Sequence, residues 1–372
     1  MWLVRADAFT RILEGQRYNR QSHDLGFKLM TSYGRAYRLT GDPYYRDVLL
    51  VAAESLASRF SPVVGVIKCC DWNPDWQFPL VIDTMMNLEL LLWASDNGGQ
   101  PEWRSIAVSH ALKTFNDTVR NNGSTYHVVD YDPSSGEVRF KGTFQGYADE
   151  STWSRGQAWA IYGFTMVYRF TGDARMLDAA RQTAEYYLSS LPADMVPNWD
   201  FDAPSQQKDS SAAAAVASAL FELSRFMGPA NGGRYRDAAL QMLDSLSAGP
   251  YFAEGSSSPG LLLHAVGHHP AGQELDTTLI YGDYYFQEAV MRYHSMLGSP
   301  SGGTDGGSPA GGTDGGVSGV SPAAGPDGTS SLSPQQAHSG CQQGGLAGFT
   351  LLGLLAVASA LRPTRRRVRV RP

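Results

Sequence analysis

The sequence predicts an all-α body folded as an α/α toroid, and three observations predict it. The segment YRLTGD at residues 37–42 returns as YRFTGD at residues 168–173. In each copy a glycine closes one helix and an aspartate caps the next, and Pro43 takes the first helical position in the first copy. The helix that follows such a turn is itself repeated, as YYRDVLLVAAESL around Tyr45 and RYRDAALQMLDSL around Tyr235. Finally, 42% hydrophobic and 11% aromatic residues in a chain of 372 supply a large core. Successive helical hairpins stack into a toroid or a solenoid, and a toroid gathers loops and inner-helix ends around one pocket.

Charge and cysteine usage narrow the function classes. The formal charge is −6, but the last eleven residues hold six arginines and no acid, which leaves 24 basic against 36 acidic residues elsewhere. Such a body is not a nucleic-acid binder by charge. Cys69, Cys70 and Cys341 form neither a disulfide framework nor a CxxC pattern, and the eight histidines show no metal-ligand spacing. No glycine-rich nucleotide loop is present.

Along the body, residues 1–298, five segments concentrate polar and aromatic residues beyond what a helical scaffold needs. QSHDLGF places His23 and Asp24 just before a helix, where Asp24 also reads as an N-cap. CCDWNPDWQFPLVIDTMMNLELLLWAS is a tryptophan-rich loop that runs into a helix carrying Asp83 and Asn87 among apolar residues. A buried carboxylate is costly unless paired, and burial favours the protonated form that a general acid requires. STYHVVDYDPSSGEV alternates like a short hairpin turning at DPSSGE, and QGYADESTWSRGQAW then opens a helix with Arg155 and Trp159 on one face. VPNWDFDAPSQQKDSSAAAA caps an alanine-rich helix at Asp209, and LIYGDYYFQEA starts a last inner helix. Residues 299–340 are a Gly/Ser/Pro-rich linker with nothing to bury. Residues 341–372 hold Cys341, an apolar run of about 17 residues, roughly 25 Å as a helix, and the arginine cluster, and so predict a short membrane span.

The order HDLGF, PLVIDTMMNLELLLWAS, HVVDYDPSSGEV, QGYADESTWSRGQAWAIYGF, WDFDAP with DSSAAA, and LIYGDYYFQEA resembles glycoside hydrolase family 88, the unsaturated glucuronyl hydrolases, over roughly residues 10–295. The resemblance implies a barrel of six hairpins. It also implies hydrolysis of oligosaccharides that carry a 4,5-unsaturated uronic acid at the non-reducing end, with no metal or organic cofactor. It assigns Asp83 as general acid and base with Asp24 assisting, and His23, His127, Gln145, Arg155 and Trp159 as residues of the sugar site. Protonation of the vinyl ether at C4 gives a cation at C5, water adds, and the hemiketal opens to release the leaving sugar. Asp83 is therefore expected to have a pKa raised by burial and a neighbouring carboxylate, and Arg155 to be free for anionic groups of the substrate.

Family members carry about one further hairpin before the HD motif, so the ring is expected to lack its first hairpin in this chain. The neighbouring possibilities are an unsaturated rhamnogalacturonyl hydrolase acting on pectin fragments and a surface carbohydrate-binding protein without activity. The tail resembles the C-terminal sorting tails of myxobacterial exported proteins. That resemblance implies an exported body, membrane-anchored or at the cell surface, with Cys341 as the processing or attachment point. MWLVRADAFTRILEGQ contains no apolar secretory segment, so export is not legible at this N-terminus.

Overall fold

A computed structural model describes residues 2–297, so the predicted linker at 299–340 and tail at 341–372 lie outside the described residues. Within them the body is helical, with two small sheets. Five inner helices form a ring: α2 (25–40), α4 (Leu88–Asp96), α6 (Ser154–Thr171), α8 (Ser210–Phe226) and α10 (Ile280–Leu297). Outside it run α1 (Trp2–Ile12), α3 (Pro43–Ala57), α5 (Glu102–Thr118), α7 (Ala174–Ser189) and α9 (Gly233–Leu246). Helix α8 is the close-packed member, since Ala212 to Ala215, Ala217 and Ala219 are all buried against α6, α9 and α10. Small side chains there let three helices approach one axis. Among the described residues no helix is long and apolar enough to cross a membrane.

The two repeated turns behave as the sequence predicts. Gly41 and Gly172 end α2 and α6 at φ of 68° and 66°, a backbone region that costs glycine little. Asp42 and Asp173 then accept the backbone N–H groups of Tyr44 and Arg175, capping α3 and α7. Tyr45 and Tyr235, equivalent in the repeated helix, are both buried.

One expectation is corrected. Residues 78–95 do not form a single helix: Phe78–Val81 is strand β3, and Asp83 lies in the 3-10 turn Ile82–Asn87 that leads into α4. Pro79 and the β-branched pair Val81–Ile82 disfavour a helix start here, and Asp130 fixes the strand by accepting the N–H groups of Gln77 and Phe78. Strand β3 pairs antiparallel with β4 (Val128–Tyr131), which pairs with β5 (Val138–Gly142), the hairpin predicted around DPSSGE. A two-stranded ladder, β1 (Phe60–Ser61) with β2 (Val66–Ile67), precedes it.

On the side of the ring away from the long connections, seven charged residues close a circuit through all five inner helices. Arg38 of α2 bonds Glu89 of α4 at 3.2 Å, and Glu89 meets Arg169 of α6 at 3.0 Å. Arg169 holds Glu222 of α8 at 2.6 Å, and Glu222 meets Arg292 of α10 at 3.0 Å. Arg292 lies 3.6 Å from Glu288, which pairs with Arg35 and returns the circuit to α2. Glu288 also accepts from Tyr162 at 2.9 Å and Ser218 at 2.7 Å. Buried acids satisfied this completely lock relative positions, and removing one partner exposes the desolvation cost of the rest.

Candidate active site

At the opposite end, where the inner helices begin, the predicted acids and histidines converge. Asp83 is held at the end of β3, and its Oδ2 lies 3.4 Å from His127 Nε2 without hydrogen-bond geometry. His127 sits one residue before β4. Its Nδ1 accepts the backbone N–H groups of Phe144 and Gln145, at 3.2 and 3.1 Å. That leaves the ring proton on Nε2, the nitrogen on the Asp83 side. Trp153 packs on the other side of the imidazole, with centroids 4.6 Å apart.

His23 and Asp24 approach from the start of α2. The Cys69 carbonyl accepts both the His23 backbone N–H, at 3.2 Å, and its Nδ1–H, at 2.9 Å. Nε2 then faces Asp24 Oδ1 at 3.2 Å, and the two attract only when a proton lies between them. Asp24 precedes α2 but makes no side-chain cap, bonding Ser22 instead at 3.2 Å, so the N-cap alternative does not hold. Asn87 ties the two acidic segments together. Its Oδ1 takes the Phe27 N–H at 2.7 Å, an otherwise unpaired donor of the first turn of α2, and its Nδ2 donates to the Asp83 carbonyl at 3.3 Å. Gly26 makes this approach possible, since a Cβ there would stand 2.5 Å from Asn87 Cα.

The expectation of a raised Asp83 pKa is reversed. Burial pushes it up, but the neighbouring His127 imidazole, with the charges of His23 and Arg155, outweighs burial and holds the carboxyl below its ordinary value. The missing ingredient in the sequence argument was the imidazole pair. Asp83 keeps 18% and Asp24 27% of its side-chain surface, so both remain reachable.

Arg155 is not free. Its guanidinium bonds Asp209 at 2.6 Å and the backbone carbonyls of Val266 and Gly267, and it is 2% exposed. Gln145 lies beside it, Nε2 donating to the same Gly267 carbonyl at 3.1 Å. The pair therefore holds the loop between α9 and α10 over the mouth. Asp209 also caps α8 as predicted, accepting from Ser211 N at 3.1 Å. Trp159 is equally enclosed at 2% exposure, edge-on to Phe27 at 5.0 Å and near Tyr285 at 5.6 Å.

Two residues that sequence reasoning missed come with that loop. His269 stacks on Trp199, centroids 3.9 Å apart and planes 2° from parallel. His268 stands edge-on to Phe144 at 4.7 Å, and its pKa is lowered by burial and by the charges of His127 and Arg155. The adjacent histidines in AVGHHPAG are the signal that was available. Phe144 in turn lies 4.5 Å from Trp72 and 6.0 Å from Trp76, so an aromatic rim borders the pocket.

The chain is similar to known proteins over most of its length. A family model described as Glycosyl Hydrolase Family 88 matches residues 8–227. An unsaturated glucuronyl hydrolase of Formosa agariphila is 41% identical over 305 residues, which is 80% of this chain and 76% of that protein. An unsaturated chondroitin disaccharide hydrolase of Streptococcus pneumoniae is 34% identical over 288 residues, covering 75% of this chain and 72% of its own. The crystal structure of an unsaturated glucuronyl hydrolase specific for heparin superposes with a TM-score of 0.75 at 41% identity, covering 78% of this chain and 79% of that one. On the family match, the relatives and the shared ring, the chain belongs to Glycosyl Hydrolase Family 88.

Proposed function

We propose that this protein removes a 4,5-unsaturated uronic acid from the non-reducing end of oligosaccharides released by polysaccharide lyases. The observation that carries the reading is the Asp83 carboxylate, reachable yet without a hydrogen-bond partner, between the His127 Nε2–H and the His23–Asp24 pair. Asp83 delivers a proton to C4 of the vinyl ether, water adds to the cation at C5, and Asp83 takes the proton that water loses. The hemiketal then opens and the glycosidic bond breaks, with no nucleophile needed at the anomeric carbon. A second carboxylate placed for anomeric chemistry is therefore dispensable.

The lowered pKa sharpens this mechanism. In the empty site Asp83 is ionised, so it must gain its proton as the sugar binds. A uronate brings negative charge and displaces water, and both effects raise a neighbouring carboxyl. The His23–Asp24 pair, 3.2 Å apart, is the second imidazole–carboxylate couple of the site, and the charge of His23 reaches Asp83. Arg155 and Gln145 support the sugar site from behind, through the Gly267 loop.

The named relatives act on differently derived sugars, one specific for heparin and one on chondroitin disaccharide. A panel of unsaturated disaccharides from heparin, chondroitin, hyaluronan and pectin tests the proposal through the ultraviolet absorbance of the double bond. Decay with any uronyl-hexosamine disaccharide supports it. Decay only with unsaturated galacturonyl-rhamnose replaces it with the pectin reading, and binding without decay makes the protein a lectin. We also propose that residues 341–372 anchor the body to a membrane after export, which fractionation of cells expressing the chain with and without them tests. Recovery of both forms in the soluble fraction overturns that part.

A further inference from the structure

Cys69 and Cys70 are not used by the reaction above, yet they sit against its machinery. Both thiols are free, and they pack in one buried cluster with Val81, Val128 and Trp76. Cys69 is 1% and Cys70 6% exposed, so Cys70 is the one nearer solvent. Burial pushes the Cys69 pKa well up, and the adjacent Cys70 and the charge of Asp83 add to it. Backbone geometry gives the pair leverage: the Cys69 N–H is tied to the Pro79 carbonyl at 2.9 Å on β3, and the Cys69 carbonyl holds His23 twice. Asp83 lies four residues beyond Pro79. One residue, Cys69, therefore connects the thiols, the His23 tautomer and the strand that presents the acid.

We propose that Cys69 and Cys70 form a dithiol modification site that closes to a vicinal disulfide by exchange with a small-molecule disulfide and so switches the active site off. The Cys70 thiolate attacks one sulfur of the reagent, forming a mixed disulfide and releasing one thiol. The Cys69 thiol, giving its proton to the thiolate just released, then attacks Cys70 Sγ, forming the Cys69–Cys70 bond and releasing the second thiol. Two electrons pass from the cysteine pair to the reagent, and the two protons leave with its thiols. The eight-membered ring so formed includes the Cys69–Cys70 peptide and turns the Cys69 carbonyl away from His23. With that acceptor gone, His23 loses its fixed tautomer and its alignment on Asp24.

The inference rests on His23 and Asp24 serving the reaction, so the chemistry and the activity are read separately. The full chain is treated with hydroxyethyl disulfide under native conditions, then mapped by peptide mass and assayed on an unsaturated disaccharide. The expected result is a peptide two mass units lighter containing Cys69 and Cys70, a fall in kcat of tenfold or more, and recovery of both with dithiothreitol. Cys70→Ser is expected to keep its activity through the treatment. Failure of the lighter peptide to form, its formation without loss of activity, or equal inactivation of Cys70→Ser overturns the proposal. If untreated protein is inactive on every sugar, the proposed function fails instead, and disaccharide binding by calorimetry before and after treatment reads the switch.

Discussion

The two ends of the inner-helix ring are built on opposite plans. At the basal end the connections are short, two residues at Gly41–Asp42 and at Gly172–Asp173, and each acid of the charged circuit is held by two arginines. At the apical end the connections are long, 58–81, 119–153, 190–209 and 247–279, and buried polar atoms are left without partners at His23 Nε2 and Asp83 Oδ2. The difference teaches where the fold keeps stability apart from reactivity. Groups that must exchange protons with a substrate are left unsaturated, and the ring that carries them is clamped from the far side.

The largest test of that division is Asp83→Asn. It is expected to lower kcat by about 10²–10⁴-fold, the range for loss of a positioned general acid, and to leave the urea midpoint nearly unchanged. A large loss of stability would mean that Asp83 is structural and the division is wrong. Glu288→Gln at the basal end should do the reverse, costing about 3 kcal/mol in urea unfolding with kcat altered less than twofold. Equal loss of activity would show the two ends to be coupled.

Smaller effects sharpen the comparison. Asp83 must be protonated to act, and its free-site pKa is depressed while a bound uronate raises it. The alkaline limb of kcat/KM should therefore lie at lower pH than the alkaline limb of kcat, and coincident limbs would contradict substrate-linked protonation. His110 lies under the wall of the site, accepting the Ile67 N–H on Nδ1 at 3.0 Å, with its pKa lowered by burial from 6.5 to about 3. Between those values the unfolded chain binds a proton that the folded chain refuses, so stability falls as pH drops through that window. His110→Asn should flatten the fall in a thermal melt series. Last, Asp42→Ala should cost only about 1 kcal/mol, the worth of one helix cap, without touching the kinetics.

The basal turns were legible because their chemistry is local. A Gly–Asp pair between two helices dictates φ and a cap within four residues, and both copies formed as read. Asp83 was legible as a carboxylate in an apolar run, and the pairing of Asp24 with His23 follows from adjacency. What escaped depends on distant backbone. Arg155 is saturated by carbonyls 111 and 112 residues away, and carbonyls carry no signature in a sequence. The lowered pKa of Asp83 escaped for the same reason, since the imidazoles that cause it come from two other segments. Glu89, Glu222, Glu288 and Arg292 read as the solvent-facing charges of ordinary helices. Only the ring shows that they face one another.

The charged circuit has an odd number of members, and parity has a consequence. Around a closed loop, strict alternation of sign is possible only for an even count, so seven residues force one like-charged contact. That seam falls between Arg35 and Arg38, one turn apart on α2, and their side chains are the most exposed of the seven. Repulsion is thus placed where water can screen it, while every contact in the interior of the ring joins opposite signs. Exchanging the charges of positions 169 and 222 would keep the same composition and leave that seam in place, but it would add two like-charged contacts in the buried half, 89 against 169 and 222 against 292.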